Sequence, residues 1–245
     1  MDETVLYEKV DGVAWVTLNR PARLNVYNVR MRDELFEVLC AVRDDPEIRA
    51  FVLRGAGRCF CAGADLTEFG TAPSPTIARR VRFGRDVWDV LDGLEVPTVA
   101  ALHGVALGSG LEMALFCDLQ IAAEETVLGF PEVRLGMIPA AGGTQTLPRA
   151  AGTSYALDLL LTGRRVQAAE AQRHGMVSRV VPAERLDREV ASVAEAVARL
   201  DPCAVRAIHH LLRTGVDAPL ATGLRREAVL GAVVAAQGHG VERGA

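Results

Sequence analysis

The stretch TVAALHGVALGSGLEMALF, residues 98–116, constrains the fold more than any other part of this sequence. It passes from an unbroken apolar run through three closely spaced glycines into a helical pattern. The run Thr98–Leu102 predicts a short buried strand. Gly104, Gly108 and Gly110 let the backbone turn tightly after it, and Ser109 can then start a helix through Glu112, Met113, Leu115 and Phe116. A helix start leaves N–H groups unpaired at the positive end of the macrodipole, which suits a developing negative charge. Ser109 and Glu112 are three residues apart, so the Ser109 amide and the Glu112 side chain share one side of the first turn. A second carboxylate, Glu132, stands between Pro131 and Gly136 in a similarly apolar setting.

Simpler readings compete with an active site. A glutamate in a first helical turn is most often a surface residue that complements the dipole. Glu132 after Pro131 could equally occupy the N1–N2 positions of a helix. The coincidence of a glycine loop, one carboxylate a turn into a helix and a second beside Pro and Gly favours function. A dinucleotide site fits poorly: Gly108-Ser109-Gly110-Leu111-Glu112-Met113 lacks the third glycine of G-x-G-x-x-G. The phosphate-cradling G-x-x-x-x-G-K-[ST] is absent throughout.

A chain of 245 residues with 50% hydrophobic and 24% charged residues can bury one large core, with or without an appendage. A net charge of −4 without Lys or Arg runs argues against nucleic acid or an anionic membrane as the main partner. No apolar stretch reaches transmembrane length, since Val96–Val105 is interrupted by His103 and Gly104. The acidic N-terminus lacks an apolar signal core, and the five cysteines form no C-x-x-C pair. The expectation is a cytoplasmic protein with reduced thiols. His103, His174, His209 and His210 have no ligand spacing, so no metal site is expected.

Along the chain, Val13–Leu18 reads as a strand, and Asn28 caps a helix carrying Leu35, Val38, Leu39 and Val42 up to Asp44. Ala50–Leu53 reads as a second buried strand. Phe60–Leu66 is a further glycine loop expected to enter a helix, with the Ala64 amide as another candidate anion donor. Cys59 and Cys61 have no evident base and read as buried thiols. Thr71–Ser74 is a candidate mobile loop, and Ile77–Leu91 resumes helical periodicity. Short strands are expected at Leu119–Ala122, Thr126–Phe130 and Val177–Val181, and helices after Gly143, over Ser154–Leu161 and over Ala168–Arg173. The alternation is that of an α/β fold. From Leu186 onward three amphipathic helices follow, ending with Leu220–Ala236. The expected organisation is a core at 1–187 and a helical region at 188–245.

Four segments in order carry a family likeness: Asn19-Arg20-Pro21 with Leu24-Asn25; Phe60-Cys61-Ala62-Gly63-Ala64-Asp65-Leu66; Gly104–Asp118; and Phe130-Pro131-Glu132 through Ile138-Pro139 to Ala141-Gly142-Gly143-Thr144-Gln145. Together they resemble the enoyl-CoA hydratase/isomerase (crotonase) family over about residues 10–185. The resemblance implies a crotonase-like (ClpP/crotonase) spiral of strand–strand–helix turns, with a C-terminal helical region used to form a homotrimer or a homohexamer. It implies that the Ala64 and Ser109 amides hold the oxygen of an acyl-CoA thioester, that Glu112 activates water, and that Glu132 supplies the proton to the α-carbon. Coenzyme A would contact Arg23 and Leu24 near its adenine, and the backbone of Ala62, Gly63, Asp65, Leu66 and Gly108 along its arm. No cofactor beyond the CoA moiety of the substrate is implied.

Retention of both glutamates favours an enoyl-CoA hydratase of fatty acid metabolism. The alternatives within the resemblance are an isomerase, a hydratase or dehydratase of a cyclic or biosynthetic acyl-CoA, and a non-catalytic scaffold. The sequence departs from the family pattern at Ser109 and Ala140, where glycine is commoner, and at Ala22, where a base is. It also ends at Ala245 without an aromatic and basic closing segment.

Overall fold

The computed structural model describes residues 3–237, apart from the side chains of Arg82 and Phe83. The expectation about the closing segment lies outside the described residues. The strands are β1 (Val5–Val10), β2 (Val13–Leu18), β3 (Ala50–Gly55), β4 (Thr98–Leu102), β5 (Val105–Leu107), β6 (Leu119–Ala123), β7 (Val127–Gly129), β8 (Arg165–Gln167) and β9 (Arg179–Val181). The α-helices are α1 (Val29–Asp44), α2 (Pro75–Phe83), α3 (Val87–Asp92), α4 (Ser109–Phe116), α5 (Gly143–Ala151), α6 (Thr153–Thr162), α7 (Ala168–Arg173), α8 (Leu186–Ala198), α9 (Pro202–Gly215) and α10 (Leu220–Ala236).

Two sheets share the strands. The larger has the order β1-β2-β3-β4-β6-β9, parallel except for the β1–β2 pair, and the smaller has the order β5-β7-β8. Successive strands leave one sheet and enter the other: β4 is followed by β5, and β6 by β7. An isolated parallel bridge between Cys61 and Ala106 repeats the step after β3. This is the spiral that the resemblance implies, each turn carrying the chain through both sheets. Gly104 makes one of the corners, at φ +60°, where a Cβ would lie 2.2 Å from the Arg58 carbonyl oxygen.

Alternation along the central strands explains their near-continuous apolar sequence. Ala50 and Val52, Val99 and Ala101, and Ile121 and Ala123 face one side, where Leu186, Val190 and Ala194 of α8 cover them. Phe51, Leu53, Ala100, Leu102 and Ala122 face the other side and join α1, α3 and α4 in the main core. The α8 helix therefore belongs to the packing of the sheet. In contrast, α9 and α10 contain no buried residue. His209 of α9 sits with its Nε2 3.0 Å from both carboxylate oxygens of Asp118, tying that helix to the core.

Several expectations need correcting. The segment after Ala64 is a single 3-10 turn, Leu66–Glu68, because Asp65 caps it locally by accepting from the Thr67 amide and hydroxyl. Ile77–Leu91 is two helices rather than one. The first ends at Gly84, and the Asp86 carboxylate restarts the second by accepting from the Trp88 and Asp89 amides. Strand β1, an edge strand with five of its six residues exposed, and the three-residue β8 were not anticipated. The capping of α1 is as expected: Asn28 Oδ1 accepts from the Met31 amide at 3.0 Å. No helix among the described residues is long and apolar enough to cross a membrane.

Candidate active site

A cleft of about 1810 Å³ runs between the Ala62–Leu66 loop, the start of α4, the Pro131–Leu135 turn and the loop before α5. It is lined by Ala62, Gly63, Ala64, Asp65, Leu66, Gly108, Ser109, Glu112 and Glu132, so nine of the eleven residues singled out from the sequence converge there. Arg23 and Leu24 do not line it. Arg23 is exposed in the turn Pro21–Arg23, and Leu24 lends its carbonyl to the Ala62 amide at 3.0 Å. The motif around them has a structural task. Buried Asn25 donates through Nδ2 to the carbonyls of Ala56, Cys59 and Phe60, fixing the path of the next loop.

The two candidate amides are free for different reasons. Tyr27 and Ala64 form a parallel bridge in which Tyr27 N–H donates to the Gly63 carbonyl and Asp65 N–H to the Tyr27 carbonyl. That pattern leaves the Ala64 N–H pointing away from the bridge. Ser109 is the first residue of α4, where the preceding Gly108, at φ +49°, lies outside the helix and receives the Glu112 amide at 2.9 Å. Among the described residues neither the Ala64 nor the Ser109 amide donates to a backbone carbonyl. The Asp65 side chain faces away to Thr67 and to Arg20, 3.1 Å distant, so it braces the loop.

The two carboxylates occupy opposite environments. Glu112 is 1% exposed, and its Oε1 accepts the amides of Ala141 and Gly143 at 2.8 and 2.9 Å. Two N–H donors on one oxygen make Oε1 an acceptor that carries no proton. Gly143 must be glycine for this: a Cβ there would lie 2.8 Å from the Phe130 ring and 3.2 Å from Glu112 Cγ. Glu132 is the second residue of the 3-10 turn, as its sequence position after Pro131 suggested. Its Oε2 is buried with no hydrogen-bond partner, the one such side-chain atom among the described residues. Its Oε1 lies 2.5 Å from where a Gly108 Cβ would stand, so Gly108 is what admits this carboxyl. Burial, reinforced by the neighbouring Glu112 charge, pushes the Glu132 carboxyl up to about 7.

Sequence reasoning missed two parts of the site. One is the Ala141–Gly143 cradle, whose signal was an Ala-Gly-Gly run just before a helix. The other is an aromatic wall made by Tyr27, Trp88 and Phe116, with successive ring centroids 5.7 and 6.0 Å apart. The cysteines take no part. Cys61 is fully buried and its thiol is pushed up to about 12 by burial, which removes it as a nucleophile at neutral pH.

A two-sheet spiral brings two unpaired amides and two carboxyls to one cleft. The sequence model of the enoyl-CoA hydratase/isomerase family matches residues 8–240, and the chain belongs to that family. It is 39% identical over 225 residues to the Mycobacterium tuberculosis protein named "Probable enoyl-CoA hydratase echA8", covering 92% of this chain and 87% of the other. It is also 39% identical over 223 residues to the (E)-benzylidenesuccinyl-CoA hydratase of Thauera aromatica, covering 90% and 86%. Among solved structures, the enoyl-CoA hydratase of Bacillus anthracis superposes with a TM-score of 0.89 at 35% identity, over 98% of this chain and 93% of that one.

Proposed function

We propose that the protein hydrates the 2,3 double bond of a 2-enoyl-CoA. The observation that carries this is the contrast between Glu112 and Glu132 beside two unpaired amides. The Ala64 and Ser109 N–H groups take the thioester oxygen and stabilise the enolate, an interaction worth ~3–4 kcal/mol per donor in comparable sites. Glu112, held by Oε1 on the Ala141 and Gly143 amides, orients water and accepts its proton as oxygen bonds to C3. Glu132, with a carboxyl pushed up to about 7, is part protonated near neutrality and gives its proton to C2. The hydroxyl of water thus ends on C3, and the proton left on Glu112 makes good the one that Glu132 gave to C2 once the two carboxyls re-equilibrate with solvent. The CoA arm lies along Ala62–Leu66, and neither a metal nor a further cofactor takes part.

We also assign α9 and α10 to a homotrimer or a dimer of trimers. Ile208, Leu212, Val216, Leu220, Leu224 and Val229 are each more than half exposed, an apolar surface that a second copy would cover. Light scattering at micromolar concentration should give a trimer or hexamer mass, and a monomer would contradict the assignment.

The experiment for the activity is loss of the conjugated-thioester absorbance of crotonyl-CoA. Turnover that yields the 3-hydroxyacyl product supports hydration. Movement of the double bond without added water would make the protein an isomerase, and binding without turnover would make it a scaffold.

A further inference from the structure

The chain is poor in aromatic residues, with seven Phe, three Tyr and two Trp in 245 residues. Among the described residues four of these twelve, Tyr27, Phe69, Trp88 and Phe116, nevertheless line the cleft. Three of them form a continuous ladder, Tyr27 to Trp88 at 5.7 Å and 53°, and Trp88 to Phe116 at 6.0 Å and 37°. All three rings are only partly buried, packed on the core from one side and open to the cleft on the other.

The ladder is tied to the reacting end of the cleft. Phe116 follows Glu112 by four residues on α4, so the two side chains share a face one turn apart. Both lean on the same short backbone segment. A Cβ on Gly142 would lie 2.6 Å from Phe116 Cε2, and one on Gly143 would lie 3.2 Å from Glu112 Cγ. The glycine pair therefore lets the Phe116 ring and the Glu112 carboxylate come close together. If Glu112 delivers water to C3, the acyl substituent on C3 meets Phe116 and then Trp88.

From this placement we propose that the acyl pocket selects a flat aryl group on C3, a 3-aryl-2-enoyl thioester, with Trp88 and Phe116 as its specificity-determining residues. Aromatic pairs in tilted or offset contact gain attraction beyond the area they bury, which a straight alkyl chain or a puckered ring cannot reproduce. This inference rests on the hydration reading for its direction along the cleft, and its test does not depend on turnover.

The test uses saturated thioesters that cannot be hydrated, in a Trp15→Phe background that leaves Trp88 as the only tryptophan. Trp15 lies on the other side of the large sheet, against Arg54, and is remote from the cleft lining. Binding of 3-phenylpropanoyl-CoA, 3-cyclohexylpropanoyl-CoA and hexanoyl-CoA is followed by calorimetry and by Trp88 emission. The phenyl ligand should bind about fivefold or more tightly than either of the others, and should alter Trp88 emission most. Trp88→Leu, which keeps an apolar side chain, should bring the three affinities within about twofold, and Phe116→Leu should narrow them in the same direction. Equal or tighter binding of hexanoyl-CoA overturns the proposal, as does a phenyl preference that survives Trp88→Leu. Absence of binding by all three thioesters would instead overturn the acyl-CoA reading itself. Aryl selectivity without hydration of crotonyl-CoA or cinnamoyl-CoA would sink the hydratase assignment and leave the pocket assignment standing.

Discussion

The first turn of α4 and the turn Pro131–Leu135 each present one glutamate to the same cleft, and they present it in opposite ways. Residues Gly110–Leu115 of α4 are all buried, and Glu112 among them has one oxygen fixed by two backbone amides. No residue of the Pro131–Leu135 turn is buried, yet Glu132 pushes one oxygen into a dry spot with nothing to bond. In the proposed reaction, the carboxyl held on two backbone amides is the one that orients and deprotonates water. A desolvated carboxyl with one oxygen unpartnered holds its proton to higher pH, and in the proposed reaction it is the one that gives it away. The lesson is that two identical side chains acquire different surroundings from the backbone around them, in this case from Gly108 and Gly143 above all.

The sharpest way to break the comparison is to remove each carboxyl while keeping its shape. Glu112→Gln and Glu132→Gln should each lower kcat by ~10²-fold or more with thioester binding largely kept. Near-normal turnover in either would leave a single-glutamate reaction. Next in size, Ser109→Pro deletes the N–H at a helix position where proline is tolerated, and should cost ~10²-fold in kcat, while Ser109→Ala stays within about tenfold. An alanine variant as inactive as the proline one would make the hydroxyl the working group.

Smaller effects follow from the glycines. Gly143→Ala must push Phe130, Pro139 or Glu112 aside, since its Cβ would lie 2.8, 2.9 and 3.2 Å from them. A cost of ~1–3 kcal/mol in stability is expected by denaturant melts, with kcat reduced more than KM is raised. If kcat were untouched, the cradle would not be what orients Glu112.

The smallest effect is thermodynamic. The folded Glu132 carboxyl sits at about 7, against an unfolded value of 4.5, so the folded protein binds more protons between those pH values. The contribution of Glu132 is therefore neutral below pH 4.5, falls as pH rises toward 7, and stays unfavourable above it. Glu132→Gln should raise stability at pH 8 by on the order of 1 kcal/mol, allowing for the residue's partial exposure, and leave it nearly unchanged at pH 4.5. Calorimetry at the two pH values reads the difference.

How much of this was legible in the sequence depends on the range of the interaction. The helix cap at Asn28, the buried strands β3 and β4 and the start of α4 follow from neighbouring residues and were readable. Strand β1 was not, because VLYEKV is an edge strand whose residues mostly face water and so carries little alternation. The helix expected after Ala64 failed on a local competition, the Asp65 side chain capturing the Thr67 amide in a single turn. Both glutamates and both amides that the structure brings to the cleft were named in advance. Their roles came only with the resemblance, and the surroundings that set them apart were not readable, since the donors to Glu112 lie 29 and 31 residues away and the unpaired Oε2 of Glu132 depends on burial by the whole cleft.

The claim that environment divides the two glutamates is tested most directly by titrating the side-chain carboxyls of ¹³C-glutamate-labelled protein, free of ligand, by NMR. One carboxyl resonance should titrate near pH 7 in the wild type and be missing from Glu132→Gln. Titration of the Glu132 resonance at its ordinary value of 4.5 would contradict the account, because Glu132 would then be an ordinary ionised carboxylate with no proton to give.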